Sequence, residues 1–245
     1  MIQVSIVVPV KNEAENIVNL VHKIDDACRD KVIFEIIVVD DGSDDGSAQV
    51  IEAIKSEMPS LRLLRHDRSG GQSAAVHTGV AQARGKIVCT LDGDGQNPPF
   101  ELPKLFTPFL SDDASPSLGL VAGQRVNRQD TASKMLASRF ANAIRGAILL
   151  DGTRDTGCGL KGFRRTAFLE LPYFNHMHRY LPALFLRNGW QIKHVDVSHS
   201  PRISGSSKYS NLQRGLVGIV DLLGVAWLLR RSKTAKLLSE NDQSQ

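Results

Sequence analysis

Short aliphatic and β-branched runs alternate with helical patterns along the first part of the chain. The apolar runs occupy residues 4–10, 34–41, 61–66 and 86–92, and the helical patterns between them occupy residues 13–29, 45–57 and 71–84. Runs without polar alternation are typical of strands covered on both faces, and strands separated by helices usually pair in parallel. The pattern therefore predicts an α/β fold with a mostly parallel central sheet and helices on both faces.

The second half of the chain is less regular. It predicts a surface loop at 111–118, a strand at 119–123, a helix at about 132–149, a glycine-rich passage at 157–163 and a strand at 191–197. Residues 232–245 have the composition of a polar tail. No internal repeat or linker interrupts these elements, so we expect residues 1–231 to form a single domain.

The composition fits one domain in a reducing compartment. A chain of 245 residues with 42% hydrophobic content can bury a sizeable core. The formal charge of +4 is scattered, which favours anionic ligands weakly and indicates no nucleic-acid partner. The three cysteines lack CxxC spacing, so neither disulfides nor zinc are predicted. The chain opens directly on a strand-like run, and we expect a cytoplasmic protein without a secretion signal.

One apolar segment late in the chain suits a membrane surface. Residues 215–229 are too few to cross a bilayer and include Asp221. Trp227 and the pair Arg230 and Arg231 are residue types that favour the boundary between water and lipid. We therefore expect residues 212–231 to form an amphipathic helix that lies peripherally on the cytoplasmic face of a membrane.

Two aspartates follow the fourth predicted strand. Asp92 and Asp94 are two residues apart, so in an extended chain their carboxylates point to the same side and can face one ion. Gln96 could add a carbonyl oxygen or hold a water. Mg²⁺ and Mn²⁺ favour oxygen ligands and usually take one or two carboxylates from the protein. The sequence predicts such a metal site, although Asp-Gly pairs also occur in simple turns.

Other polar residues follow the first and second predicted strands. In sheets of this kind ligands bind beyond the carboxyl ends of the strands. Asp40 or Asp41 could accept hydrogen bonds from a base or ribose, or could belong to an acidic loop that caps the next helix. The residues at the end of the first strand could line the same pocket or begin a helix. The candidate substrate-binding residues are Pro9, Val10, Asn12, Glu13, Asp40 and Asp41.

A glycine-rich turn leads into the third predicted helix. Residues 69–79, SGGQSAAVHTG, place glycines at a helix N-terminus, where phosphates bind well. The segment has neither the GK[ST] of a P-loop nor the spacing of GxGxxG. An NAD-dependent oxidoreductase is therefore disfavoured.

These segments together resemble a known family. PVKNEAEN, VVDDGSDDG, GGQSAAVHTG and LDGDGQNPP have the order and spacing of family 2 glycosyltransferases with the GT-A fold, and the resemblance covers nearly the whole chain. The DGDGQNPP form is characteristic of the branch that transfers sugars to polyprenyl phosphates. The resemblance implies a nucleotide pocket lined by Pro9, Glu13, Asp40 and Asp41, and a metal held by Asp92, Asp94 and Gln96.

The same resemblance assigns basic residues of the second half to an acceptor phosphate. Any one of them, taken alone, is more simply a solvated side chain. Their motifs match the phosphate-binding residues of the branch at Arg125, Arg139, Arg202 and Lys208. Three further residues lie in segments that approach the site in this branch, namely Asp155, His178 and Arg179.

A phosphate acceptor determines the chemistry that we expect. Unit charges about 4 Å apart repel by roughly 4 kcal/mol at an effective dielectric near 20, so metal on one phosphate and arginines on the other would let the two approach. A phosphate monoester is anionic at neutral pH and needs no general base. We therefore expect an inverting displacement from a UDP- or GDP-sugar to a polyprenyl phosphate of the undecaprenyl or dolichyl type.

Alternatives remain open for the acceptor and the partners. Transfer to a saccharide hydroxyl, as in envelope polysaccharide or lipopolysaccharide synthesis, would require a carboxylate base besides Asp92 and Asp94. A nucleotide-sugar sensor would bind the donor without turnover. Many bacterial members of the branch continue into two transmembrane helices, and a peripheral chain could depend on an integral-membrane partner.

Overall fold

The described part of the chain is built around one seven-stranded β-sheet. The computed structural model describes residues 1–126, 145–199 and 211–231, except for the side chains of 211–217. Within these ranges the strands are β1 (Val4–Val10), β2 (Phe34–Asp40), β3 (Leu61–Arg65), β4 (Ile87–Thr90), β5 (Leu118–Arg125), β6 (Lys161–Arg164) and β7 (Gln191–Val197). Their order in the sheet is β3-β2-β1-β4-β6-β5-β7.

The sheet is mostly parallel, as predicted. β1 pairs in parallel with β2 and β4, and β2 pairs in parallel with β3. β6 is antiparallel to both β4 and β5, while β5 and β7 are parallel. Every strand but β6 therefore points the same way, and the carboxyl ends of β1, β2, β4 and β5 share one edge.

Helices cover both faces of the sheet, which confirms the predicted layers. They are α1 (Ala14–Cys28), α2 (Ser47–Ile54), α3 (Gln72–Gln82), α4 (Leu102–Leu110), α5 (Arg165–Leu169), α6 (Leu181–Arg187) and α7 (Asn211–Arg230), with short 3-10 turns at Pro99–Glu101 and Met177–Arg179. Ile6 and Val8 pack in one core with α1 and α4, whereas Val7 packs in a second core with α3 and α6. Alternate residues of a strand point to opposite faces, so β1 is buried on both sides.

The third helix lies very close to the first strand. A Cβ atom at Gly79 would be 2.4 Å from Cγ1 of Val7. Only glycine permits that approach. The close packing places the N-terminus of α3, residues 71–73, near the end of β1.

Four of these elements were not predicted from the sequence: the helices α4, α5 and α6 and the strand β6. α4 contains Pro103 in its first turn, where proline is tolerated, and Pro108 in its interior, where proline is unfavourable. The helix forms because its apolar face is buried at Leu102, Leu105, Phe106 and Phe109, and each such burial stabilises by about 1.5–3 kcal/mol. β6 has only four residues, in a passage that we identified as glycine-rich without assigning a strand. Of the helix predicted at 132–149, residues 145–149 are described, and they are helical.

The predicted helix at 212–231 is observed as α7. It exposes four large apolar side chains, Ile219, Val220, Leu223 and Trp227, and buries Val225 against the second core. Asp221 lies on the protein side, where its Oδ2 is 2.9 Å from Nδ1 of His176. None of the helices in the described ranges combines the length and apolar character that crossing a bilayer requires.

Candidate active site

Two neighbouring cavities open at the carboxyl edge of the sheet and share Pro9, Gln72 and Asp92. The outer cavity has a volume of about 310 Å³, and its other lining residues include Val10, Lys11, Glu13, Asp41, Ser69, Gly71 and Asp94. The inner cavity has a volume of about 350 Å³, and its other lining residues include Thr90, Arg125, Asp155, Lys161, His178 and Arg179. The edge where ligands were expected is therefore hollow, and predicted residues from both halves of the chain line it.

Asp92 stands where the two cavities meet. Its Oδ1 accepts a hydrogen bond from Nε2 of Gln72 at 2.7 Å, and its Oδ2 accepts one from Nδ2 of Asn97 at 3.0 Å. Burial raises the pKa of the Asp92 carboxyl, and the nearby charge of Asp94 raises it further. A cation stabilises two close carboxylates, because it relieves their repulsion.

The aspartate pair fits a hard divalent metal ion. Asp94 and Gln96 are partly exposed, and Oδ1 of Asp94 accepts the backbone N–H of Gln96 at 3.1 Å. Among the described residues, no three His, Cys, Asp or Glu side chains come together to enclose an ion. Mg²⁺ and Mn²⁺ are commonly held by one or two carboxylates and by substrate phosphates. Asp92, Asp94 and Gln96 would thus hold the ion while leaving coordination positions for a diphosphate.

A glycine on the opposite wall packs directly against Asp92 in residues 92–96, the candidate metal-binding segment that we call the metal motif. A Cβ atom at Gly159 would lie 2.3 Å from Oδ2 of Asp92. The Gly159 carbonyl accepts a hydrogen bond from Oγ1 of Thr90 at 2.8 Å. Any side chain at position 159 would displace the Asp92 carboxylate, so the segment that leads into β6 helps to position this carboxylate.

Asp41 holds the glycine-rich turn that closes the outer cavity. Its Oδ1 accepts hydrogen bonds from Nδ1 of His66 at 2.7 Å and from the Gly70 N–H at 2.8 Å. Its Oδ2 accepts them from Oγ of Ser69 at 2.7 Å and from the Gly71 N–H at 2.8 Å. Burial opposes ionisation of Asp41, but these hydrogen bonds outweigh it and lower the pKa. Asp41 is thus engaged by the turn before any ligand binds.

The other candidates near β1 and β2 differ in their access to the cavities. Glu13 lines the outer cavity. The Asn12 side chain exchanges hydrogen bonds with Asp44, at 2.7 Å to Oδ1 and 3.0 Å from the backbone N–H. Asp40 is 1% exposed, and its Oδ1 accepts the backbone N–H of Ser43 at 3.0 Å. Neither Asn12 nor Asp40 is among the side chains that line the two cavities.

An ion pair forms one wall of the inner cavity. Nε of Arg125 donates to Oδ2 of Asp155 at 2.6 Å, and Nη2 donates to Oδ1 at 2.8 Å. Such paired, planar contacts fix the orientation of a guanidinium group. Burial opposes the charge on Arg125, but the Asp155 carboxylate outweighs it and raises the pKa of Arg125. Both residues were predicted separately, and the fold brings them together beside the metal motif.

The first turn of α3 connects the two cavities. Gln72 reaches Asp92, and the next residue, Ser73, places its Oγ 2.7 Å from Nδ1 of His178. Burial lowers the pKa of His178 far below its ordinary value, and the charge of Lys161 adds to this effect. Burial therefore favours the neutral form of the imidazole. It was predicted only from its segment, and its contact with α3 depends on the tertiary structure.

Three predicted phosphate ligands, Arg139, Arg202 and Lys208, lie outside the described residues. The chain that leads towards Arg202 is described as far as residue 199. Oε1 of Glu101, which follows the metal motif, accepts hydrogen bonds from the backbone N–H and Oγ of Ser198 at 2.9 and 2.8 Å. Ser198, which precedes the undescribed residues 200–210, is thus bonded to the segment that follows Gln96 in the sequence.

Comparison with known proteins identifies the family. The sequence profile described as glycosyl transferase family 2 matches residues 5–171, which span β1 to β6 and contain the paired aspartates and most residues of both cavities. The chain belongs to glycosyl transferase family 2. Family 2 membership agrees with the resemblance recognised in the sequence motifs.

The curated relatives of this family 2 chain are longer proteins. It is 34% identical over 213 residues to an undecaprenyl-phosphate 4-deoxy-4-formamido-L-arabinose transferase of Pseudomonas fluorescens strain Pf0-1, covering 86% of this chain and 61% of that protein. A protein of the same name from Pectobacterium carotovorum strain PC1 is 35% identical over 212 residues, covering 86% and 63%. The chain thus spans about three fifths of the length of the relatives that it matches.

Solved structures share the fold at lower identity. A mannosyltransferase from Pyrobaculum calidifontis, in complex with GDP-Man and Mn²⁺, has a TM-score of 0.70 and 22% identity, covering 96% of this chain and 66% of that one. A glucosyl-3-phosphoglycerate synthase from Mycobacterium tuberculosis, in complex with Mn²⁺ and UDP, has a TM-score of 0.69 and 16% identity, covering 96% and 82%. These likenesses confirm the predicted GT-A fold of the family 2 chain.

One charged residue of the inner cavity of this family 2 chain escaped the sequence analysis. Lys161 is 4% exposed and lines the inner cavity. It lies two residues before Phe163, which is fully buried, so the two side chains share the core face of β6. A lysine at an inward strand position is a recognisable signal, but it could be used only if the strand had been predicted.

Proposed function

We propose that this chain is an inverting glycosyltransferase that moves a sugar from a UDP- or GDP-sugar to a polyprenyl phosphate. The donor would occupy the outer cavity, with its diphosphate on Mg²⁺ or Mn²⁺ held by Asp92, Asp94 and Gln96. The acceptor phosphate would enter the inner cavity. The anomeric carbon of the transferred sugar would then lie near Asp92, where the two cavities meet.

The carboxylates of the inner cavity carry this proposal. Two carboxylates line it, Asp92 and Asp155, among the residues that the structure describes. Asp92 belongs to the metal pair, and Arg125 binds both oxygens of Asp155. An acceptor hydroxyl would need a carboxylate disposed to take its proton, whereas a phosphate monoester is already anionic. The names of the curated relatives, which specify undecaprenyl phosphate, support the same acceptor.

The displacement requires positioning and charge neutralisation. An oxygen of the acceptor phosphate forms a bond to the anomeric carbon while the bond from that carbon to the donor diphosphate breaks, so the configuration inverts. The electron pair leaves with the nucleoside diphosphate. The metal, when bound, offsets the charge that develops on this leaving group. Arg125, oriented by Asp155, offsets the charge of the acceptor, while Gln72 and Asn97 orient Asp92.

The test is transfer of radiolabelled sugar to undecaprenyl phosphate from a panel of UDP- and GDP-sugars, including donors of 4-deoxy-4-formamido-L-arabinose. Wild type would be compared with Asp94→Ala and Arg125→Ala. The controls are Asp26→Ala, which changes an exposed residue of α1, and Arg29→Ala, which changes the exposed residue just after α1. We expect lipid product from one donor, with a loss of at least about 100-fold in both site variants, the scale of lost electrostatic stabilisation. Donor turnover on a saccharide acceptor that depends on Asp155 would contradict the proposal.

We also propose that α7 rests on the cytoplasmic surface of a membrane. Its exposed apolar side chains include Leu223 and Trp227, and Arg230 and Arg231 follow them. Anionic lipid would attract these arginines while the apolar face enters the interface. The protein should sediment with anionic vesicles, and Leu223→Ser with Trp227→Ser should abolish sedimentation. Equal sedimentation of the variant and wild type would exclude α7 as the membrane-binding element. Sugar transfer seen only in native membranes would indicate an integral-membrane partner.

A further inference from the structure

Lys161 is a buried charge on the core face of a strand. It is the first residue of β6 and pairs with Thr90 of β4 and Ala122 of β5, in the interior of the sheet. Its exposure is 4%. Strand positions of this kind are normally apolar, as Phe163 is two residues later. A lysine at this position therefore requires a physical reason.

The described residues satisfy only part of the bonding capacity of Lys161. An ammonium group has three N–H donors. One donates to the backbone carbonyl of Cys158. Across residues 1–126, 145–199 and 211–231, no carboxylate forms an ion pair with Nζ, and no other acceptor receives a hydrogen bond from it. Burying an ammonium group without full compensation is costly, so a further acceptor in the cavity would stabilise it.

The position of Lys161 indicates what that acceptor is. Lys161 lines the inner cavity beside Arg125, whose guanidinium is already bound by Asp155. Burial lowers the pKa of Lys161, and the positive charge of Arg125 lowers it too, against the effects of Cys158, Asp92 and Asp155. An anion that entered the cavity would stabilise the ammonium form. Because the donor diphosphate is expected in the outer cavity, the anion of the inner cavity is the acceptor.

We propose that Lys161 binds the phosphate monoester of the acceptor by donating hydrogen bonds to its oxygens in the inner cavity. This inference rests on the proposed function and adds a binding residue to it. A monoester carries a charge of about −1.5 to −2 and three acceptor oxygens, more than one bound guanidinium satisfies. The competing explanation is structural: the bond to Cys158 would only hold the loop that packs Gly159 against Asp92.

Binding measurements on the full chain distinguish these roles. Lys161→Met keeps the length of the side chain and removes its charge, and the matched control Lys55→Met removes an exposed lysine of an ion pair with Glu52. Calorimetry would measure binding of farnesyl phosphate to the protein, with farnesol as the uncharged control. Binding of UDP and of GDP with Mn²⁺ would be measured separately. We expect Lys161→Met to bind farnesyl phosphate about 10- to 100-fold more weakly, the range for hydrogen bonds to charged groups. The nucleotide affinity and the Tm of Lys161→Met should equal those of wild type. Lys161→Arg should recover part of the lost affinity for farnesyl phosphate.

Two results would overturn the assignment. One is unchanged farnesyl phosphate binding by Lys161→Met. The other is a parallel loss of nucleotide affinity and Tm, as expected if Lys161 only holds the loop beside Asp92. The wild type offers a measurement that does not depend on folding of the variant: the ¹⁵N ammonium signal of Lys161, assigned with Lys161→Arg, should shift with farnesyl phosphate and not with farnesol. The absence of a shift would also reject the inference.

Failure of the proposed function would give a different result. If no donor yields lipid product while farnesyl phosphate binding still depends on Lys161, the transfer reaction is wrong and the binding role of Lys161 stands. If lipid product forms and its rate and acceptor KM are the same in Lys161→Met, the transfer reaction stands and this inference fails.

Discussion

Asp41 illustrates how a residue selected as a ligand candidate can act through the backbone. Each of its carboxylate oxygens accepts two hydrogen bonds from the turn between β3 and α3. Two of these four hydrogen bonds come from the backbone N–H groups of Gly70 and Gly71. Gly71 has a φ of 86°, a conformation that glycine adopts without strain. Asp41 thus stabilises the turn that forms a wall of the outer cavity, and its effect on donor binding would be indirect.

Asp41→Asn should weaken both the fold and donor binding. Asparagine offers one acceptor oxygen, so partly buried donors of the turn would lose partners, at about 1 kcal/mol for each lost hydrogen bond. We expect a lower Tm and weaker binding of nucleoside diphosphate with Mn²⁺, measured by thermal denaturation and calorimetry. Asp67→Asn, an exposed position in the same connection, is the control and should match wild type. A normal Tm with a large loss of nucleotide affinity would instead indicate a direct contact with the ligand.

At the scale of elements, a buried network joins the strands at the edge opposite the site. Glu35 of β2 is 1% exposed, and its oxygens accept hydrogen bonds from Oγ of Ser5 and the backbone N–H of Arg84, each at 2.7 Å, and from Nη1 of Arg62 at 2.7 Å. Burial opposes ionisation of Glu35, but these hydrogen bonds outweigh it and lower the pKa. The network ties β1, β2 and β3 together at their amino ends.

The Glu35 network should make stability depend on pH. Because its pKa is lowered in the folded state, its contribution is present above the unfolded value, about 4.3, and is lost as pH falls through the folded value. Glu35→Gln should therefore lower the Tm at pH 7 and reduce the further fall in Tm below pH 4.5. Denaturation scans from pH 3 to 7 would measure this. An equal acid dependence in wild type and variant would contradict the assignment.

A second contact between elements fixes α7 to the protein. Asp221 of α7 pairs with His176, and the Gly218 carbonyl accepts the Tyr180 hydroxyl at 3.2 Å. This explains the charge that interrupts the apolar segment, because Asp221 faces the protein and leaves the exposed face apolar. His176 and Tyr180 flank His178 of the inner cavity, so α7 is attached to the segment that lines this cavity.

Loss of the Asp221 contact should loosen α7 locally. We expect Asp221→Ala to speed amide hydrogen exchange across residues 218–231 by about threefold to tenfold, the scale of one lost hydrogen bond. Exchange in β1 and β4 should not change. The control Leu223→Ala alters the exposed face of the same helix and should leave exchange near wild type. Unchanged exchange in Asp221→Ala would show that apolar packing alone holds α7.

At the scale of the whole molecule, the carboxyl edge of the sheet gathers the site from distant parts of the chain. The metal motif follows β4, the Asp41-bound turn follows β3, and Arg125 ends β5. The reversed strand β6 starts at this edge, which places Lys161 and Gly159 beside Asp92. The two halves of the chain thus contribute opposite walls of one site.

Removal of divalent metal should lower the affinity of this site for the donor. Chelation should weaken UDP or GDP binding by at least about tenfold, since a divalent ion held by Asp92 and Asp94 would offset the charge of the diphosphate. Added Mn²⁺ should restore it in wild type and in Asp26→Ala, but not in Asp94→Ala. Calorimetry with and without chelator measures this. Equal nucleotide affinity in both conditions would show that the protein binds the donor without an ion.

Local patterns determined much of the fold. The strand predicted at 191–197 is β7 at Gln191–Val197, and the one at 119–123 lies inside β5 at Leu118–Arg125. Apolar runs bounded by polar residues report burial directly, and the order of the motifs identified the family. The spacing of Asp92 and Asp94 predicted that their carboxylates lie near one another in an extended chain. In the structure a turn follows Asp92, and the charge of Asp94 still raises the pKa of Asp92, whereas their role as metal ligands stays a prediction.

Other features depended on contacts between residues far apart in the sequence. The direction of β6 is set by its fit between β4 and β5, and no local pattern encodes it. The proline-containing α4 forms because the core buries its apolar face. Lys161 reaches the inner cavity only through this pairing, and Asp41 is occupied only because the turn folds over it. Sequence determined which side chains are available, whereas tertiary packing decided which of them meet a ligand and which hold the structure.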